Sequence, residues 1–162
     1  MIGYVIYYSK NERNRNRRFY NETRHVMNAE EKRQLPSLGE GPAEALKDPD
    51  RHVIITIGWK KVPCMISALF SANDAANAIR KSLRKPMAAF GYHSEQDLRR
   101  TIAGENAGGL SYEYVAQGIA MYGESYVIKH GNYYFYFHIY TRTEYKDSNL
   151  QVWNEILESV RL

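Results

Sequence analysis

The sequence predicts an α+β fold over residues 1–162, a single-domain α/β/α sandwich around a central antiparallel sheet. Three observations lead there. The strand-like segments of the C-terminal half follow one another through turns too short for crossover connections, and tight turns join antiparallel neighbours. Those segments are apolar or aromatic on both faces, so neither face suits water, and helices on both sides supply the cover. The chain also holds 14 tyrosines. Tyr favours strands and buries its ring while keeping its hydroxyl hydrogen-bonded.

Gly3–Ser9 alternates as a strand with Tyr4, Ile6 and Tyr8 on one face. Lys10–Arg18 follows with no apolar residue and therefore no core-facing stripe. Asn28-Ala29-Glu30-Glu31 has capping-box spacing and predicts a short helix to Leu35. Pro36, Gly39, Gly41, Pro42 and Pro49 mark a loop-like connection. Arg51–Lys60 predicts a strand with Val53, Ile55, Ile57 and Trp59 facing one way and Ile54 the other, covered on both sides. Ser71 with Asp74 opens a helix that carries Ala75, Ala76, Ile79 and Leu83 to a stop at Pro86. Gln96–Ile102 alternates weakly, Gly104–Gly109 reads as a turn, and Leu110–Ala116 is a strand with Leu110, Tyr112 and Tyr114 on one side.

Gly118–Val127 and Tyr133–Tyr140 form the clearest hairpin, joined at His130-Gly131-Asn132. Phe135, Phe137 and Ile139 line one face of its second strand; Tyr134, Tyr136, His138 and Tyr140 line the other. The register stays open: a three-residue loop pairs His138 with Glu124, and a two-residue loop moves every partner by one. A closing helix over Ser148–Val160 presents Leu150, Trp153, Ile156, Leu157 and Val160 as one stripe, with Ser148 and Gln151 as a capping box.

At 162 residues, 44% apolar and 25% charged, the chain has ordinary globular composition. No apolar run reaches the roughly 18 residues of a membrane helix. The N-terminus lacks a signal-peptide pattern, so with Met1 as the native start a cytoplasmic location is expected. The single Cys64 excludes an internal disulfide and a multi-cysteine metal site; its setting, Val62-Pro63-Cys64-Met65-Ile66, predicts an inert buried thiol. The net charge of +4 permits anionic partners without demanding them.

Ile102-Ala103-Gly104-Glu105-Asn106-Ala107 leading into a strand, the aromatic hairpin, and the closing Trp153 with Ile156-Leu157-Glu158-Ser159-Val160 together resemble the PsbP-like superfamily. That superfamily is the α/β/α sandwich shared by photosystem II PsbP subunits and the Ran-binding import factor Mog. The resemblance covers Val53–Leu162, the C-terminal two-thirds. Members often carry a Pro and a Trp soon after the first strand, where this chain has Ser9-Lys10-Asn11-Glu12. The resemblance implies a largely non-catalytic protein that binds other proteins or assists assembly, a fold-level inference.

Several constellations can carry chemistry. Lys10, Arg13, Arg15, Arg17 and Arg18, near Arg24 and interleaved with Asn11, Asn14 and Asn16, can contact phosphates through guanidinium forks. Glu12 and Glu22 dilute that charge, and such runs are commonly solvated loops. The Tyr134, Tyr136, His138, Tyr140 face can stack bases, but His130–Phe137 does not match the RNA-recognition pattern and packing beneath a helix is the plainer reading. His130, His138 and Glu124 converge on a metal only if the hairpin register cooperates, and no metal-ligand motif is present. Cys64 with His52 or His93 is the one thiol–imidazole option, and nothing in the sequence joins them. Asn21-Glu22-Thr23 fits a glycosylation sequon without a secretory signal to give it meaning.

The expectation is a non-catalytic binding module, engaging another protein through loops at one sheet end or through an exposed tyrosine patch. The candidate binding residues are Arg13, Arg15, Arg17, Arg18, Tyr134, Tyr136 and Tyr140. No cofactor, metal or catalytic residue is expected. Nucleic-acid binding through residues 10–18 is the alternative, and a small hydrolase or metal enzyme the third reading.

Overall fold

Alternation along Tyr133–Arg142 divides the core in two, because successive side chains of a strand point to opposite faces. Phe137 and Ile139 join one buried cluster and Tyr134 and Tyr140 the other. The computed structural model describes the backbone of residues 25–26 and 43–162, and nearly all side chains from residue 46 on. The strand expected at Gly3–Ser9, the basic segment Lys10–Arg18, and the helix expected at Asn28–Leu35 lie outside the described residues.

The described strands are β1 (His25–Val26), β2 (Ala43–Asp48), β3 (Val53–Lys61), β4 (His93–Ile102), β5 (Glu105–Ala116), β6 (Ile119–His130) and β7 (Tyr133–Arg142). The helices are α1 (Cys64–Leu69), α2 (Ala72–Met87) and α3 (Lys146–Ser159). The strands form one sheet in the order β1-β2-β3-β7-β6-β5-β4, with every neighbouring pair antiparallel. Helices cover both sides, which makes the predicted α/β/α sandwich.

On the α3 side, Val53, Ile55 and Ile57 of β3, Phe137 and Ile139 of β7, and Ile128 of β6 pack against Trp153, Ile156, Leu157 and Val160. On the α2 side, Ile79, Leu83 and Met87 lie over Leu110, Tyr112, Val127, Tyr134 and Tyr140. Ser71 caps α2 as its spacing predicts: the Asp74 N–H donates to the Ser71 hydroxyl, and the Ser71 N–H donates to the Asp74 carboxylate. The helix runs one residue past Pro86 into a single 3-10 turn at Ala88–Phe90.

Four details differ from the sequence reading. The stretch between Pro42 and Pro49, expected as part of a loop-like connection, is strand β2, which pairs with β3 from Ala43–Gly58 to Asp48–Val53. The expected turn at Gly104–Gly109 is only Ala103–Gly104; Gly108 and Gly109 lie inside β5. Their role is close approach. A Cβ on Gly108 would lie 2.6 Å from the Asn73 side chain and 3.0 Å from its Cα at the start of α2. One on Gly109 would meet the Ser125 carbonyl and the Tyr126 ring at 2.6 Å. The closing helix starts two residues early, at Lys146 after Tyr145, so Ser148 is inside it. Its hydroxyl donates back to the Tyr145 carbonyl at 3.0 Å, which replaces the expected capping box. Finally, His130 pairs with Tyr133, which selects the two-residue loop Gly131–Asn132.

Candidate functional site

The two-residue loop sets Ser125 opposite His138 and Glu124 opposite Ile139. Glu124 therefore faces α3, where its carboxylate accepts from the Tyr122 hydroxyl at 2.7 Å and from Trp153 Nε1 at 3.1 Å. His138 faces the other way, with Nδ1 2.8 Å from the Ser125 hydroxyl. Burial pushes its imidazole down to about 3, so the ring is neutral. His130 lies elsewhere, 2.8 Å from Glu105. The three groups weighed as metal ligands are thus separated by opposite faces and different partners. No group of three or more ligating side chains converges among the described residues.

The thiol–imidazole option also separates. His52 packs on the Tyr145 ring, centroids 5.1 Å apart, and His93 Nε2 lies 3.4 Å from Glu113. Cys64 is exposed as the first residue of α1, which corrects the expectation of a buried thiol. A short apolar run does not say whether it is covered, and here it forms a helix standing off the sheet.

The tyrosine face is a core surface. Tyr134 is 4% exposed and Tyr140 5%, with Tyr136 packed beside them at intermediate exposure. The reading of Tyr134, Tyr136 and Tyr140 as an exposed binding patch is therefore corrected: α2-side packing occupies the face that a partner would have to reach. Desolvation raises the pKa of all three phenols, which keeps them neutral. Arg13, Arg15, Arg17 and Arg18 lie outside the described residues.

An apolar surface does appear at the end of the sheet where β3 and β6 finish and β7 begins. Helix α1 buries only Ser67. Met65 is 83% and Leu69 78% exposed, and Ile66 and Phe70 are about half exposed. At 100° per residue, positions 65, 66 and 69 share one stripe, and Ser67 points to the opposite side.

What holds α1 in place is polar. The Ser67 hydroxyl donates to the Gly131 carbonyl at 2.9 Å, and its N–H donates to the Pro63 carbonyl. The Lys129 ammonium donates to the carbonyls of Ser67 and Phe70, and the Tyr134 hydroxyl donates to the Phe70 carbonyl at 2.7 Å. The Val62 N–H reaches the Asn132 carbonyl at 2.9 Å. The orphan carbonyls at the end of α1 are thereby satisfied by side chains of β6 and β7. Alongside, the Lys61 ammonium lies 5.7 Å from the Tyr133 ring centroid. A helix that hardly contributes to the core is thus fixed to the β6–β7 end by four side-chain hydrogen bonds and the Val62–Asn132 backbone bond, with its large apolar side chains in water. Sequence reasoning missed it, although Met65/Leu69 and Ile66/Phe70 each repeat at four residues just after Pro63.

No protein-family model and no curated protein sequence matches the chain. Solved structures do match its shape. The solution structure of the cyanobacterial PsbP protein CyanoP from Synechocystis sp. PCC 6803 aligns with a TM-score of 0.60 at 12% identity, covering 86% of this chain and 82% of that one. The crystal structure of PA94, a protein of unknown function from Pseudomonas aeruginosa, aligns with a TM-score of 0.56 at 12% identity, covering 85% and 96%. The fold is PsbP-like, as the C-terminal motifs imply.

Proposed function

We propose that the protein is a non-catalytic binding module that docks another protein on the α1 end of its sheet. The observation that carries this is the disposition of α1: Met65, Ile66, Leu69 and Phe70 face solvent on a helix held by Ser67, Lys129 and Tyr134. Contiguous exposed apolar side chains on a fixed framework mark interaction surfaces more often than scattered ones do. The PsbP-like fold is compatible with this reading, though fold alone assigns no partner.

The test is a Met65→Ser/Leu69→Ser double variant. Both side chains are exposed, so the melting temperature is expected to stay within a few degrees of the parent. Retrieval of the partner, by affinity capture with nuclease and at two salt concentrations, is expected to be lost. Equal retrieval by parent and variant would refute the docking role. A signal that disappears with nuclease and weakens steeply with salt would move the function to phosphate contacts by residues 10–18.

A further inference from the structure

We infer that the outer edge of β4 pairs with the same edge of a second copy of this chain, about a two-fold axis through Leu98, a contact separate from the α1 surface. β4 ends the sheet, and among the described residues no strand lies outside it. Helix α2 packs over β5 and β6, inboard of that edge. A free edge is a row of unpaired N–H and C=O groups, which chains blunt with prolines, bulges or cover. No proline interrupts β4, and its bulge, with Ser94 at a φ of 52°, is confined to the His93–Gln96 end. From Gln96 to Ile102 the register with β5 is continuous, which leaves a regular segment able to accept another strand.

Symmetry and charge then select the register. A two-fold axis that sets two such edges antiparallel stands perpendicular to the sheet, so each face continues as the same face of the second copy. Opposed residues therefore share a face, and one residue opposes itself. Glu95 and Asp97 lie on the α2 side, in ion pairs with Arg80, and alternation puts Arg99 there too. Leu98 packs on the α3-side core, and Arg100 on that side donates to Asn154 of α3 at 2.7 Å. With Leu98 on the axis, Asp97 opposes Arg99 on both sides of it, Gln96 opposes Arg100, and Leu98 meets its own copy. With the axis on Asp97, Arg99 or Arg100, a charge faces itself; on Gln96, Glu95 faces Asp97. Like charges directly opposite destabilise a strand pair and opposite charges support it. Leu98 is thus the one axis position from Gln96 to Arg100 that opposes unlike charges without opposing like ones.

The groups that would meet are available. Arg99 is exposed, stands opposite Gly108 on β5, and has no carboxylate partner among the described residues. The Asp97 side chain is 74% exposed and gives one oxygen to Arg80. Across the axis these four charges form an alternating square, with unlike charges as neighbours and like charges on the diagonals. Half-buried Leu98 carries the α3-side core from one copy to the next. The pairing of Gln96–Arg100 is short and falls below the roughly 800 Å² per partner of a stable interface, so association is weak and concentration-dependent. Being isologous, it uses up both edges and stops at two copies.

Sedimentation equilibrium of the full chain from roughly 1 μM to 1 mM is expected to show monomer and dimer in exchange. Arg99→Asp and Asp97→Arg each set like charges together at both symmetric positions, and each is expected to raise the dissociation constant about tenfold to a hundredfold. Both side chains are exposed, so the melting temperature is expected to hold within a few degrees. Mixed in equal amounts, the two variants are expected to form a heterodimer near parental affinity, because one copy then carries two negative charges and the other two positive. A parent that stays monomeric over the whole range would overturn the pairing, as would a dimer that either variant keeps at parental strength. Two monomeric variants whose mixture also stays monomeric would overturn the Leu98-centred register.

Discussion

The two faces of the sheet are built from the same strands and solve burial differently. Beneath α3 the core is aliphatic and aromatic, and its one carboxylate, Glu124, accepts from both Tyr122 and Trp153. Beneath α2 the core is tyrosine-rich, and the hydroxyls of Tyr112 and Tyr140 and the Nε2 of His138 lack a hydrogen-bond partner among the described residues. The buried carboxylate of the α3 face is met by two donors, whereas on the α2 face the tips of Tyr112 and Tyr140 go unmatched beside bonded Tyr134 and His138. Removing a side chain should therefore cost most where partners would be orphaned, and least where a hydroxyl already has none.

Trp153→Ala is the largest break. It empties a fully buried indole site and strips Glu124 of a donor, so a loss of about 3–5 kcal/mol is expected in urea unfolding. A loss under about 1 kcal/mol would show the α3 face to be loosely packed.

Acid tests the α2 face. His138 titrates near 3 in the folded protein and near 6.5 when unfolded, so the unfolded state takes up the proton first on acidification. The stability it confers is complete above pH 6.5 and is lost as pH falls toward 3. That amounts to about 3 kcal/mol by pH 4.5. Urea midpoints for the parent and His138→Phe, measured between pH 7.5 and 4.5, should differ in slope. Parallel curves would remove His138 as the source.

Two glycines allow a matched comparison. Gly109 stands opposite Tyr126 and Gly123 opposite Tyr112, one pair on each face, each glycine beneath its partner's ring. Ala at either position is expected to cost about 1–3 kcal/mol by overpacking. Gly109→Ala should be the worse, because its Cβ also meets the Ser125 carbonyl, a backbone atom that cannot swing aside. Thermal melts of the two variants would show the order, and a reversed order would place the tighter packing under α2.

The smallest effect should be Tyr140→Phe. Its hydroxyl is buried and makes no hydrogen bond of ordinary geometry among the described residues, so deletion is expected to be neutral or slightly stabilising, within about 0.5 kcal/mol. A marked loss in chemical denaturation would mean that the hydroxyl is bonded after all.

Most of the sandwich was legible because it is written in local periodicity. The alternation of Tyr133–Tyr140, the stripe from Leu150 to Val160 and the Ser71–Asp74 box each state an element and its buried side. Register was not legible, because two-residue and three-residue loops at Gly131 both satisfy the pattern. Gly108 and Gly109 read as a turn because a glycine needed for close approach looks the same in sequence as one needed for a bend. The exposure of Cys64–Phe70 and the burial of Tyr134 and Tyr140 are tertiary outcomes. Each depends on where α2 lies, which no nearby residue states.

The position of β3 also bears on how the chain is made. β4 to β7 pair with sequence neighbours and can zip together as they emerge, whereas Val53 of β3 waits for Thr141 of β7. At roughly 5–20 residues per second of synthesis, that apolar strand can pair on its β2 side but lacks its β7 neighbour for several seconds. The nascent chain is thus most vulnerable to aggregation and most in need of a holding chaperone from the emergence of β3 until the last hairpin closes the sheet, near the end of synthesis.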